Sequence, residues 1–309
     1  HLVELLGVGP VGPLDRTVQL GRAWGQDEQP DVALLAALLE LGHELGAVVD
    51  ADGPDPERHP LRQSIEHIGR GGSRRPPTEF DDIGFTLRRG EILGFYGLIG
   101  AGRSEVMQAL FGITKPSKGA CRIDGQIAVI RSTAEAIAQG IVYVPEDRGR
   151  QGTVKGMAVF QNVTLPSLPA TSRNGFLRLA EEFALTRRYT GRLDLRAASL
   201  DQDVGLLSGG NQQKVVIAKW LATQPRVIIL DEPTKGIDIG SKAAVHEFMA
   251  ELAAEGLAVI MVSSEIPEIL GMSDRVIVMR EGRIVAEAEG EDMTPETLVR
   301  AALGQRDAA

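Results

Sequence analysis

Cysteine is nearly missing: Cys121 stands alone among 309 residues. No internal disulfide can form, and the composition suits a reducing compartment. Also missing is any run of about eighteen apolar residues, the length a membrane-crossing helix needs. The best candidate, 32–49, is interrupted by Glu40, His43 and Glu44 and reads as an amphipathic or buried helix. A basic excess is lacking too. The formal net charge is −9, which argues against nucleic acid as a partner, because binding phosphate over a whole surface needs many lysines and arginines. Any phosphate recognition must therefore be local, built from a loop. The chain opens on His1 without a signal-peptide pattern, and reads as a fragment or processed chain.

Hydrophobic residues at 43% and charged residues at 24% are ordinary for a globular protein. The length allows one large domain or two smaller ones. Residues 1–77 differ from the rest and read as a leader and linker without an assignable role. They hold Gly-Pro turns, the 32–49 stretch, a Pro- and charge-rich run at 52–60 and the string Arg-Gly-Gly-Ser-Arg-Arg-Pro-Pro at 70–77. Four of the five histidines lie there without metal-ligand spacing.

From residue 78 to 309 the pattern is one of short apolar runs alternating with helical stretches. Residues 92–96, 141–144, 227–230, 258–262 and 276–279 are near-continuous apolar segments of strand length. Such runs fit parallel strands buried on both faces. The intervening helices predict an α/β fold, a mainly parallel sheet flanked by helices. Glu281-Gly282 reads as a hairpin turn, and Thr294-Pro295 as the N-cap and first position of a last helix.

Ligands of open α/β sheets sit beyond the carboxyl ends of the strands. The 92–96 strand is followed by Gly97-Leu98-Ile99-Gly100-Ala101-Gly102-Arg103-Ser104, which has P-loop spacing with arginine in the usual lysine place. Glycines there let successive N–H groups turn inward to cradle phosphate, and the following helix adds its positive end. Ser104 stands where a hydroxyl would ligate Mg²⁺. Arg103 is wider than lysine and prefers bidentate partners, so phosphate attraction can survive while the alignment for γ-phosphoryl transfer is lost. Glu105 adds a negative charge that would repel phosphate if it pointed inward. The 227–230 strand runs into Asp231-Glu232-Pro233-Thr234, a Walker B arrangement. In it Asp231 would hold Mg²⁺ through water and Glu232 would orient or deprotonate the attacking water. Between the two lies Ser208-Gly209-Gly210-Asn211-Gln212-Gln213 at the start of a helix, again presenting bare N–H groups to an anion.

The order of P-loop, Leu-Ser-Gly-Gly-Asn-Gln-Gln and Ile-Leu-Asp-Glu-Pro-Thr resembles the ATP-binding cassette (ABC) ATPases. Val144-Pro145-Glu146-Asp147-Arg148, Lys235-Gly236-Ile237-Asp238-Ile239-Gly240 and Val262-Ser263-Ser264-Glu265 are similar to the second cassette of bacterial monosaccharide importers, of the ribose, galactose, xylose and rhamnose type. The overall spelling leans towards rhamnose or a related sugar. The resemblance implies a P-loop NTPase fold with an inserted helical subdomain at about 153–220. It implies ATP and Mg²⁺ as cofactors, bound by Gly97, Gly100, Ala101, Gly102, Arg103, Ser104, Glu105 and Asp231, with Glu232 catalytic. Ser208, Gly209, Gly210 and Gln212 would serve ATP held by a second cassette, in tandem or as a dimer, and Asp238 would lie in the loop coupling the two sites. Glu146 takes the place of the glutamine that senses Mg²⁺, and Ser264 that of the switch histidine. His246 is the only histidine after the leader and lies too far along the chain to be a misaligned substitute. No aromatic residue stands at the usual distance to stack on adenine, Phe80 being too close to the P-loop. Membrane-spanning permease subunits, an indirectly acting periplasmic sugar-binding protein and a peripheral place on the cytoplasmic face of the inner membrane are further implications. The competing readings are a non-hydrolysing regulatory cassette and a soluble cassette ATPase acting on DNA or ribosomes. The latter usually carries a coiled-coil insertion or two complete cassettes.

Overall fold

A computed structural model of the chain describes residues 17–23, 80–173 and 176–304. The expected 32–49 helix, the 52–60 run and the 70–77 linker lie outside them. The centre is a six-stranded sheet whose spatial order is β12-β11-β3-β10-β9-β6. Its strands are β3 (Ile92–Tyr96), β6 (Ile141–Val144), β9 (Val227–Asp231), β10 (Ala258–Val262), β11 (Arg275–Arg280) and β12 (Arg283–Glu289). The first five run parallel to their neighbours, and β12 returns antiparallel along one edge. All residues of β3, β6, β9 and β10 are buried, as the unbroken apolar runs require when both faces are covered. The edge strand β12 alternates exposed and partly covered residues instead.

Helices Arg103–Leu110, Gly209–Leu221, Ile239–Ala254 and Ile266–Met272 connect and cover these strands. The core runs through Phe95, Ile228, Leu230 and Ile260, with the Phe85 ring edge-on to Phe95 at 5.0 Å between centroids. A separate antiparallel sheet has the order β2-β1-β4-β5, formed by β1 (Thr17–Ala23), β2 (Ile83–Arg88), β4 (Cys121–Ile123) and β5 (Gln126–Ala128). Thus Thr17–Ala23, inside the stretch read as a leader, pairs with both β2 and β4.

Residues 153–220 span the stretch expected as a helical insertion. It includes helices Val159–Thr164 and Leu179–Arg192 and a short hairpin of β7 (Ser172–Arg173) and β8 (Phe176–Leu177). Thr294 caps the last helix, Pro295–Leu303, by accepting the Thr297 N–H at 3.2 Å. No described helix is long and apolar enough to cross a membrane.

Candidate functional site

The P-loop leaves β3 at its carboxyl end. A Cβ at Gly97 would stand 2.3 Å from the Met279 carbonyl oxygen, so the strand exit passes too close to β11 for any side chain. Gly100 and Gly102 have φ of 80° and 91°, the left-handed region where glycine is unstrained. The Ala101 N–H closes the turn onto the Leu98 carbonyl, and the Ala101 carbonyl accepts from the Gly282 N–H, both at 3.0 Å. Gly102 caps helix Arg103–Leu110, whose first turn holds Glu105, a half-buried side chain.

Arg103 is buried. Its Nη1 donates to the Ser263 carbonyl oxygen at 2.7 Å, and its Nη2 lies 3.5 Å from Glu232 Oε1. Glu232 also accepts from the Ser264 hydroxyl at 3.1 Å, and its backbone sits at φ 48°. Three of the positions that resemblance singled out as unusual or catalytic (103, 232 and 264) therefore meet at one carboxylate, while Glu146 does not join them.

Asp231 closes β9. The Tyr143 hydroxyl donates to its Oδ2 at 2.7 Å, and Ser104 also hydrogen-bonds its carboxylate. Its Oδ1 is buried with no partner. Burial raises the Asp231 pKa above the ordinary carboxylate range, partly opposed by the Tyr143 and Ser104 hydrogen bonds, while the Glu232 and Glu146 charges push it further up. The Tyr143 phenol is likewise raised, by burial first and then by the Asp231 charge. A hard carboxylate oxygen without a donor beside a serine hydroxyl fits a Mg²⁺ site. Among the described residues, no group of three or more His, Cys, Asp or Glu could hold a metal.

The exposed Glu146 pairs with Lys235 at 2.6 Å, raising the Lys235 pKa through that hydrogen bond and charge. Two residues on, Arg148 donates to the Lys235 and Gly236 carbonyls at 2.9 and 3.1 Å. A Cβ on Gly209 would stand 2.7 Å from Arg148 Nη2. The Glu146 loop, the 235–236 loop and the start of helix Gly209–Leu221 are thus packed together.

Ser208 is exposed and caps that helix, accepting from the Asn211 side chain at 3.0 Å. An open groove of about 530 Å³, lined by Arg196, Gln202, Leu206 and Ser208 among others, runs beside it. Gln212 turns back to the Leu207 carbonyl at 2.9 Å. Asp238 caps helix Ile239–Ala254, accepting from the Ser241 N–H and hydroxyl at 3.0 and 2.7 Å, and these bonds lower its pKa. Phe80 is buried and offers no face to a nucleotide.

Residues 80–235 match the family model described as ABC transporter. The chain belongs to the ABC transporter family. Two ribose import ATP-binding proteins resemble this cassette. The one from Roseobacter denitrificans is 79% identical over 228 residues, covering 74% of this chain and 45% of the relative. The one from Rhizobium meliloti is 77% identical over 230 residues, covering 74% and 46%. The chain thus spans a little under half the length of these relatives. Among solved structures, a dimeric ATP-binding cassette in a post-hydrolysis state, bound to ADP and Pi, superposes with a TM-score of 0.61. At 22% identity, over 71% of this chain and 94% of that one, it shows the fold alone. A Clostridium perfringens protein that is part of an ABC transporter complex is 26% identical, with a TM-score of 0.60 over 74% and 89% of the two chains.

Several contacts at this cassette's site were not legible in the sequence. Tyr143 lay inside a strand run, and Arg148 stood in the quoted Pro-Glu-Asp-Arg string without a role. His246 does not replace the switch histidine at Glu232. It bonds instead to the buried Glu268 at 2.7 Å, and Glu268 accepts from the Ser263 hydroxyl.

Proposed function

We propose that the chain is the second cassette of a monosaccharide importer's ATPase subunit, with a weak or slow nucleotide site of its own and an intact signature run serving a partner cassette. The relatives' names move the sugar from the rhamnose suggested by overall spelling to ribose. The observation carrying the reading is the placement of Arg103. Its guanidinium engages the Ser263 carbonyl and Glu232, so phosphate must compete with two acceptors for the one side-chain cation of the P-loop.

On this reading Gly97 to Ser104 cradle the phosphates of ATP, and Ser104 with Asp231 holds Mg²⁺, which when bound neutralises charge on the phosphates. Glu232 is the base that orients water. Its pairing with Arg103 and Ser264 holds it away from that role and slows hydrolysis. Ser208, at a capped helix start, presents its hydroxyl and the Gly209 and Gly210 N–H groups to the γ-phosphate on the partner. Asp238 lies at the junction between the two sites, and Glu146 faces the membrane subunits. The permease subunits, the periplasmic sugar-binding protein and the cytoplasmic face of the inner membrane complete the assembly.

The test is steady-state ATP hydrolysis by this chain alone and with an upstream cassette carrying a lysine P-loop. The expected result is little turnover alone, and turnover with the partner that falls sharply on Ser208→Arg. Vigorous turnover by the chain alone, indifferent to the partner, would sink the proposal.

A further inference from the structure

The switch segment 263–265 is tied to helix Ile239–Ala254 at two points. Lys242 Nζ lies 2.6 and 2.8 Å from the two carboxylate oxygens of Glu265. His246 Nε2 lies 2.7 Å from Glu268 Oε1, while Glu268 Oε2 accepts from the Ser263 hydroxyl. Lys242 and His246 are four residues apart, so they project from one helix face, one turn above the other. Ser263 Oγ also accepts the Glu265 N–H at 3.0 Å, fixing the turn from which the Ser263 carbonyl meets Arg103 and the Ser264 hydroxyl meets Glu232. The Glu268 side chain is 3% exposed. A buried carboxylate with both oxygens engaged is a rigid anchor, because losing either bond would strand a charged oxygen away from water.

We infer that Lys242 and His246 are positioning residues that hold Arg103 and Glu232 together through the switch segment, and so set how tightly this cassette binds ATP. The inference rests on the nucleotide reading of the P-loop. Neither residue touches the phosphate cradle. Their effect passes through Glu265 and Glu268 to the two atoms that hold Arg103 and Glu232, the Ser263 carbonyl and the Ser264 hydroxyl. The same helix begins at the Asp238 cap, so a movement there reaches Arg103 by way of this face. With no histidine at position 264, the helix supplies the hold on the switch segment from the side.

The experiment is titration of the full chain with a fluorescent ATP analogue and Mg²⁺, with thermal melting to confirm folding. Lys242→Ala and His246→Ala each loosen the switch segment, free Arg103 for phosphate and tighten binding by roughly two- to fivefold, the range set by ion pairs that are partly exposed. His246→Gln keeps a donor for Glu268 and retains the affinity of the unaltered chain. Unchanged or weaker binding in Lys242→Ala, a change at a partly exposed side chain outside the core, overturns the inference. So does a His246→Gln affinity equal to that of His246→Ala. Failure of the unaltered chain to bind the analogue at all would instead strike the nucleotide reading itself.

Discussion

Replacing Asp231 with asparagine is expected to move stability and metal response in opposite directions. The carboxylate is 1% exposed, with Oδ2 taken by Tyr143 and Oδ1 without a partner. A buried polar atom left unsatisfied costs about 1–3 kcal/mol, more when charged. Asparagine keeps one oxygen for the Tyr143 and Ser104 hydroxyls and puts a neutral NH₂ where Oδ1 stands. The orphan remains, but the charge goes, so the net gain is about 1–2 kcal/mol. For a cassette of this size that corresponds to a melting temperature raised by about 2–8 °C without ligand. The variant also loses the expected metal ligand. A ligand at a hundred times its Kd stabilises by about 2.7 kcal/mol, so the unaltered chain with Mg²⁺ and ATP melts higher, and the part of that rise requiring Mg²⁺ disappears in Asp231→Asn. Scanning fluorimetry of both proteins, bare, with ATP and EDTA, and with ATP and Mg²⁺, reads both effects. A lower bare melting temperature for the variant, or an undiminished Mg²⁺-dependent rise, refutes the assignment.

Arg103→Lys exchanges a fork for a single ammonium, which cannot hold the Ser263 carbonyl and Glu232 as the guanidinium does. Loss of one charge-assisted hydrogen bond, about 1.5–3 kcal/mol, should tighten ATP binding roughly tenfold or more, and titration showing no gain would contradict it. Gly97→Ala drives a methyl into the Met279 carbonyl. Overpacking of this kind costs about 1–3 kcal/mol, so denaturant unfolding should show a lower midpoint at unchanged slope. Burial pushes the Cys121 thiol up to about 12, leaving almost no thiolate near neutral pH. Iodoacetamide should therefore label the native chain slowly and the denatured chain rapidly, as followed by intact mass.

The strands were legible almost to the residue because a parallel sheet buried on both faces leaves unbroken apolar runs. The expected 92–96, 141–144 and 258–262 segments are the observed β3, β6 and β10. Thr294 and Pro295 marked the last helix through local chemistry, a side-chain acceptor and a preset φ. The glycine-rich turn at 97–104 was legible for the same reason, since positive φ at Gly100 and Gly102 is a local requirement. What the sequence hid was contact across distance. The 17–23 strand pairs with residues sixty or more positions away, and no local pattern announces such a partner. Arg103 meets Ser263 across 160 residues, and Arg148 meets Lys235 across 87. The missing lysine and histidine were visible as substitutions, but not their meeting at Glu232. His246 reads as an ordinary helix residue until the fold sets Glu268 against it.

The close approach of Arg148 to Gly209 bears on how damage to the Ser-Gly-Gly run should be interpreted. That glycine has two duties on the proposed reading. Its N–H serves a phosphate held opposite, and its missing side chain makes room for an arginine clamped on the 235–236 carbonyls of the same cassette. A methyl at 209 would dislodge the arginine and release that loop even if nothing were bound opposite. On the proposed reading, activity lost on Gly209→Ala is therefore ambiguous between a contact broken in trans and a clamp opened in cis. Repeating the change in an Arg148→Ala background, where the clamp is already open, leaves only the trans component to be measured.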